Sequence, residues 1–108
     1  MTFVAINHIL CEPHYRETFE HNFRNRARAI DGQPGFLGVE VFCPRIVGEA
    51  YMIVSHWDSE ENFTAWTKSE AFIEGHKRAF ADMKAFKDRG EDPPLRSSMK
   101  TYETLAGV

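Results

Sequence analysis

Cysteine is scarce in this chain: two in 108 residues, Cys11 and Cys43. Two thiols make no disulfide framework, and a reducing cytoplasm is the default setting for such a protein. Both stand at strand ends with no candidate base fixed beside them, so they read as small hydrophobes. The five histidines (His8, His14, His21, His56, His76) include no His-x-x-x-His pair on one helix, so zinc-type spacing is missing. There is no phosphate-cradling glycine loop, Walker pattern or Gly-x-Ser-x-Gly elbow, and no flavin or nicotinamide motif. Basic runs are missing too, and the net charge of −3 argues against a nucleic-acid partner. The longest apolar stretch, Phe3 to Leu10, holds only eight residues and includes Asn7 and His8. It is too short for a membrane span and lacks the flanks of a signal peptide.

What remains is an ordinary soluble composition, 43% hydrophobic and 27% charged, with nine phenylalanines. Rings carry large buried areas, so the core or a pocket is ring-rich. The length makes residues 1–108 one domain.

Phe3 to Leu10 is β-branched and reads as a strand. Phe3, Ala5, Asn7 and Ile9 face one way; Val4, Ile6, His8 and Leu10 face the other. Both faces are mostly apolar, so both are expected to be covered. Pro13 suits a first helical position. From it to Ile30, the residues Phe19, Phe23, Ala27 and Ile30 form a helical stripe. Asp31-Gly32-Gln33-Pro34-Gly35 breaks the chain. Strands follow at Phe36 to Cys43 and Ala50 to Trp57, joined by a hairpin loop from Pro44 to Glu49. Asp58 or Ser59 caps a short helix ending near Lys68, and Ser69 caps another running to about Phe86. Asp88 to Ser97 reads as a loop and Ser98 to Leu105 as a last strand. The order is βαββαβ, a ferredoxin-like α+β arrangement. Two helices cover one sheet face, and a copy of the chain is the simplest cover for the other, giving a homodimer.

On the last helix, Phe72, His76 and Phe80 recur every four residues, which sets an imidazole in an apolar stripe. That imidazole must find a hydrogen-bond partner or a metal. A lone histidine so placed is more often a satisfied core residue, and Trp66 alone is more often packing. Asn7 is disfavoured inside a strand; its amide either bonds nearby backbone or a buried water, or faces a ligand. Arg16, Arg24, Arg26 and Arg28 either steer an anion or form a solvated face balanced by Glu17 and Glu20.

Taken together, Asn7, Phe23, Arg26, Trp57-Asp58-Ser59 and Phe63…Trp66…Phe72…His76 resemble the haem-degrading monooxygenases of the IsdG type. Those belong to the antibiotic-biosynthesis-monooxygenase superfamily of dimeric α+β barrels. The Asn7…Trp66…His76 trio is the specific part of the likeness. The resemblance implies that His76 is the proximal ligand of haem iron, that Asn7 hydrogen-bonds the distal ligand, and that Trp66 bends the porphyrin. Phe23, Arg26 and Phe72 then line the haem pocket. Haem would be cofactor and substrate together, consumed with O2 and electrons from an external reductase or small-molecule reductant, with release of iron. Two other readings stay open: a cofactorless, quinone-forming monooxygenase of the same superfamily with His76 as general base, and a non-catalytic haem carrier or sensor.

Overall fold

A computed structural model describes residues 2–26 and 28–107. Strand β1 (Phe3–Cys11) leads through a 3-10 turn (Pro13–Tyr15) into helix α1 (Arg16–Arg24), and a second 3-10 turn (Ala29–Gly32) precedes β2 (Phe36–Phe42). Then come β3 (Tyr51–Trp57), α2 (Glu60–Thr67), α3 (Glu70–Asp88) and β4 (Leu95–Glu103). The four strands form one antiparallel sheet in the order β2-β3-β1-β4. This is the ferredoxin-like arrangement that the order of elements implied.

Pairing fixes the faces. Phe3 lies opposite Trp57, Ala5 opposite Ser55 and Ile9 opposite Tyr51, and all six are buried. They form the inner face, under the helices. The buried hydroxyl of Ser55 accepts the Trp57 indole N–H at 3.0 Å and donates to the Ala5 carbonyl, so the deepest aromatic leaves no polar atom stranded. Both helix caps form as expected: the Ser59 hydroxyl accepts the Asn62 amide and the Ser69 hydroxyl accepts that of Phe72. Asp58 does a different job, receiving the Asn62 side-chain amide at 2.8 Å.

Two expectations need correction. The helix read from Pro13 to Ile30 is in fact a 3-10 turn, a nine-residue α1 and a second 3-10 turn. Asn25 ends α1: its side-chain amide donates to the His21 carbonyl at 2.8 Å, a local alternative to continuing the helix. Ala27, placed on the helical stripe, lies outside the described residues. The last strand begins at Leu95, not Ser98, because Pro94 is fully buried and Leu95 pairs with Cys11. The outer face is not covered within the chain: Leu10 and Phe42 are about half exposed, at 47% and 48%.

Gly35 (φ +76°) closes the turn into β2. Its carbonyl receives the Asp58 amide at 2.9 Å, and a Cβ built there would run into the Asp58 carboxylate and the Asn62 side chain. Gly35→Ala is expected to lower unfolding free energy by about 2 kcal/mol. A loss below about 0.5 kcal/mol in urea denaturation, the level of a neutral surface change, would contradict this.

Candidate functional site

The helices are held to the sheet by two separate apolar clusters. The first gathers Phe3, Ala5, Trp57 and Trp66, with Phe63 and Phe72 packed against it. The second gathers Ile9, Phe19 and Tyr51, with Tyr15 and Phe23 beside it. On β1 the residue between the two is Asn7, which pairs with Ile53 and Met99. It is half-buried on the inner face. Among the described residues its amide has no hydrogen-bond partner, so a hydrogen-bonding group lies unused on the floor of the seam.

Helix α3 roofs this seam without filling it. It is nineteen residues long and none is buried. Its near neighbours are α2 and the Ala29–Gly32 turn rather than the strands. One end is fixed by Ala71 and Phe72 in the first cluster. The other is fixed by Phe86, whose ring meets Tyr15 edge-on at 5.9 Å. Between these anchors the helix runs about 21 Å at 1.5 Å per residue, and Phe80, near the middle, is 65% exposed. A radius of gyration of 14.8 Å and extents of 44 × 33 × 21 Å, against a radius of about 13 Å for a compact domain of this size, describe an elongated outline.

His76 stands on that span. Its Nδ1 lies 2.8 Å from the Phe72 carbonyl oxygen. A carbonyl only accepts, so Nδ1 carries the proton and Nε2 keeps a free lone pair. The Phe72 ring stacks on the imidazole at 4.0 Å with 26° between planes, and Phe80 lies 6.0 Å beyond. Trp66 meets Phe72 edge-on at 5.5 Å. Trp66, Phe72 and His76 are therefore one aromatic chain. Trp66 itself is only 9% exposed, so it borders the cleft from within the first cluster.

The opposite wall carries Phe23, half-buried against the second cluster. The Arg26 guanidinium lies 4.3 Å over its ring and donates to its carbonyl at 3.2 Å. This folding-back sets a cation on an apolar wall. The structure thus joins Trp66, Phe72 and His76 by direct contact and sets Asn7 and Phe23 with Arg26 on the floor and the facing wall. Surface depressions lined by Glu60, Glu61, Thr64, Ala65 and Lys68, and by Arg45, Ile46 and Glu49, include none of these residues. His8 points to the other sheet face from Asn7, as the alternation required.

A polar knot behind the second cluster escaped the sequence reading. The buried Tyr51 hydroxyl donates to Glu20 at 2.5 Å and accepts from Arg16 at 2.9 Å. Burial, then the Glu20 carboxylate, push Tyr51 up to about 12, and the tyrosine hydrogen bond holds Glu20 below the usual carboxylate range. The Arg16–Glu20 spacing was visible; its partner thirty-one residues away was not. Cys43 also departs from expectation: it is exposed, with Arg16 Nη2 at 3.2 Å and Glu20 at 3.9 Å from its sulfur. Cys11 is half-buried and behaves as the hydrophobe expected, burial raising its thiol.

An antiparallel ferredoxin-like sheet with its helices packed on one face through two aromatic-rich clusters defines a small α+β domain. Residues 2–78 match the family model described as antibiotic biosynthesis monooxygenase, and the chain belongs to that family. It is 37% identical over 79 residues to the heme oxygenase (mycobilin-producing) of Mycobacterium tuberculosis (strain ATCC 25618 / H37Rv), covering 71% of this chain and 75% of that one. A heme-degrading monooxygenase of Bacillus cereus (strain B4264) is 35% identical over 54 residues, 48% of this chain and 50% of its own. Among solved structures, MhuD from Mycobacterium tuberculosis with two hemes bound in its active site superposes with a TM-score of 0.71 at 29% identity over 98% of each chain. SnoaB, a cofactor-independent oxygenase from Streptomyces nogalater, gives a TM-score of 0.67 at 16% identity over 99% of this chain and 96% of that one, which speaks to shared fold alone.

The tyrosine knot has a pH signature. Tyr51 must stay neutral in the folded chain, so its contribution is whole below the ordinary tyrosine value near 10 and is lost as pH rises toward about 12. Tyr51→Phe is expected to flatten the fall in urea-denaturation stability between pH 10 and 12. A variant that follows the wild-type curve over that window would remove Tyr51 from the account.

Proposed function

We propose that this chain is a haem-degrading monooxygenase that opens its substrate, haem, with O2 and electrons from an external reductase or small-molecule reductant, releasing iron. The observation that carries the reading is the free Nε2 of His76. Among the described residues no three His, Cys, Asp or Glu side chains come together as a metal site. One imidazole does not replace the three or four protein ligands a bare ion needs; it does complete the coordination of a metal that arrives inside a macrocycle. The backbone bond at Nδ1 fixes the tautomer that such a ligand requires. The chain's relatives among haem-degrading enzymes support the same substrate.

Haem supplies the iron at which dioxygen is reduced and the ring carbon that is oxidised. The chain supplies the rest. His76 Nε2 would hold the iron. Phe72, stacked on the imidazole, limits rotation of that ring. Trp66 braces Phe72 edge-on and would press on a haem bound beside it. The Asn7 amide offers a hydrogen bond from the floor without a strong acid, which favours oxidation of the ring over O–O cleavage of the kind a thiolate ligand promotes. Phe23 forms an apolar wall, and Arg26 offers a charge-assisted hydrogen bond to a propionate.

The whole chain acts as one domain, since β4 lies beyond the family match yet pairs with β1 along nine residues. We read the working unit as a homodimer joined through the outer sheet face. Seven paired residues across four strands make a contiguous patch about 23 Å by about 19 Å, the kind of continuous exposed face that marks an interaction site rather than scattered surface apolar groups. No helix of the described residues is long and apolar enough to cross a membrane. With two free thiols, the cytoplasm is the setting we favour.

Hemin titration should give a strong Soret band, and His76→Ala should lose the ligation signature; an unchanged ferric spectrum in that variant would assign the ligand elsewhere. With ascorbate and catalase added, the band should decay with release of Fe(II), beyond any loss in His76→Ala run beside it. A stable band under reductant and air would mean a carrier. No hemin spectrum with oxygen uptake on a phenol would mean a cofactorless oxygenase. Trp66→Leu should keep haem but turn it over about tenfold more slowly, about 1.4 kcal/mol of barrier. Wild-type turnover in a folded Trp66→Leu protein would remove ring distortion from the mechanism.

A further inference from the structure

Helix α3 carries an outer stripe that the cleft does not use. At 3.6 residues per turn, Ile73, Lys77, Phe80, Lys84 and Lys87 fall within about 80° of arc along about 21 Å of helix. All five are exposed, Ile73 by 55% and Phe80 by 65%. No acidic residue stands among them. Glu70, Glu74 and Asp88 lie to one side of the stripe, and His76 borders the other. Asp82 is on the flank toward Tyr15. Lys84 pairs with Asp88 at 2.9 Å; among the described residues Lys77 and Lys87 have no ion-pair partner. A chain of net charge −3 thus sets three cations around two bare apolar side chains.

The stripe's chemistry selects what covers it. A second copy does not fit, because a two-fold contact would set lysines on lysines. Two apolar side chains give a bilayer little to hold. At about 21 Å by about 10 Å, the stripe covers only about 200 Å². That is well below the roughly 800 Å² per partner of a lasting complex, and electron-transfer encounters occupy the small end of the range. Its charge complements an acidic surface. Its position suits electron delivery: the Phe80 ring centre lies 6.0 Å from that of the His76 imidazole, and the chain has no flavin or nicotinamide motif of its own.

We propose that the α3 stripe from Ile73 to Lys87 docks an acidic one-electron carrier protein, which reduces the haem held at His76. The inference rests on the haem reading above and chooses between the reductants left open there. Lys77, Lys84 and Lys87 steer the carrier, and Ile73 and Phe80 seat it. In each encounter the reduced centre of the carrier loses one electron and ferric iron gains it. No bond or proton is exchanged, and the oxidised carrier leaves.

The test uses an acidic, plant-type [2Fe–2S] ferredoxin as the probe. Its binding to the full chain, with and without hemin, is followed by surface plasmon resonance. The association rate should fall about tenfold or more between about 20 and about 300 mM NaCl. At low salt, Lys77→Glu should slow association about fivefold and Lys77→Glu/Lys87→Glu about twentyfold, with urea stability unchanged. Arg45→Glu, the same change of charge on the exposed β2–β3 loop, should stay within about twofold of wild type. Stopped-flow reduction of the hemin-loaded chain by reduced ferredoxin should slow in the same order, while reduction by dithionite should not. No ferredoxin binding at low salt, binding indifferent to salt, or an Arg45→Glu effect equal to that of Lys77→Glu overturns the docking and leaves the haem reading standing. Binding to phosphatidylserine vesicles that Lys77→Glu abolishes also overturns it and makes the stripe a membrane contact. A chain that gives no Soret band, recorded before ferredoxin is added, overturns the haem reading itself.

Discussion

The inner face of this sheet carries two hydrophobic clusters where a small domain ordinarily has one, and the space between them is what the rest of the molecule is arranged around. Phe3, Ala5, Trp57 and Trp66 fasten one end of the helical layer and Ile9, Phe19 and Tyr51 the other. Each large buried side chain contributes about 1.5–3 kcal/mol, so either cluster can anchor its own helix end. Neither reaches the strand residue between them, and that residue is Asn7. A continuous core would have put a valine or isoleucine there and closed the gap.

Helix α3 shows the consequence. It gains little from burial, since none of its residues is buried. It persists because Ser69 caps its start, Phe72 and Phe86 pin its two ends, and a Lys84–Asp88 pair supports its last turn at 2.9 Å. An exposed pair of that kind adds only a few tenths of a kcal/mol. A helix held at its ends and open between them can offer a side chain to a ligand without first breaking a packed contact. His76 is the side chain we propose for that role, and its orientation is set by its own helix: a carbonyl one turn back and a phenyl ring stacked on its face. The proposed ligand site is therefore local in sequence, while its setting between the two clusters is a product of the whole fold.

That division explains what could be read in advance. Strand alternation put Asn7 and His8 on opposite faces. The four-residue spacing of Phe72, His76 and Phe80 foretold the aromatic stack, and the serines at 59 and 69 marked both helix starts. Asn25 was misread because Phe19, Phe23 and Ile30 continue a helical period across it, while the hydrogen bond that stops α1 is a choice between two local partners that periodicity does not register. The start of β4 was missed because Arg96-Ser97-Ser98 has no strand-like pattern; pairing with β1 makes it a strand. The tie from Tyr51 to Arg16 and Glu20 and the link from Phe86 to Tyr15 depend on how the helical layer packs against the sheet. Neither has a signal in the one-dimensional order.

The account turns on where a haem iron is held. A crystal structure of the chain with hemin decides it most directly. The macrocycle should lie between α3 and the inner sheet face, its iron on Nε2 of His76, with Asn7 on the opposite side of the ring and Phe23 along its edge. Iron bound by His14 or His21, or a macrocycle on the outer face of the sheet with the cleft closed, would contradict it.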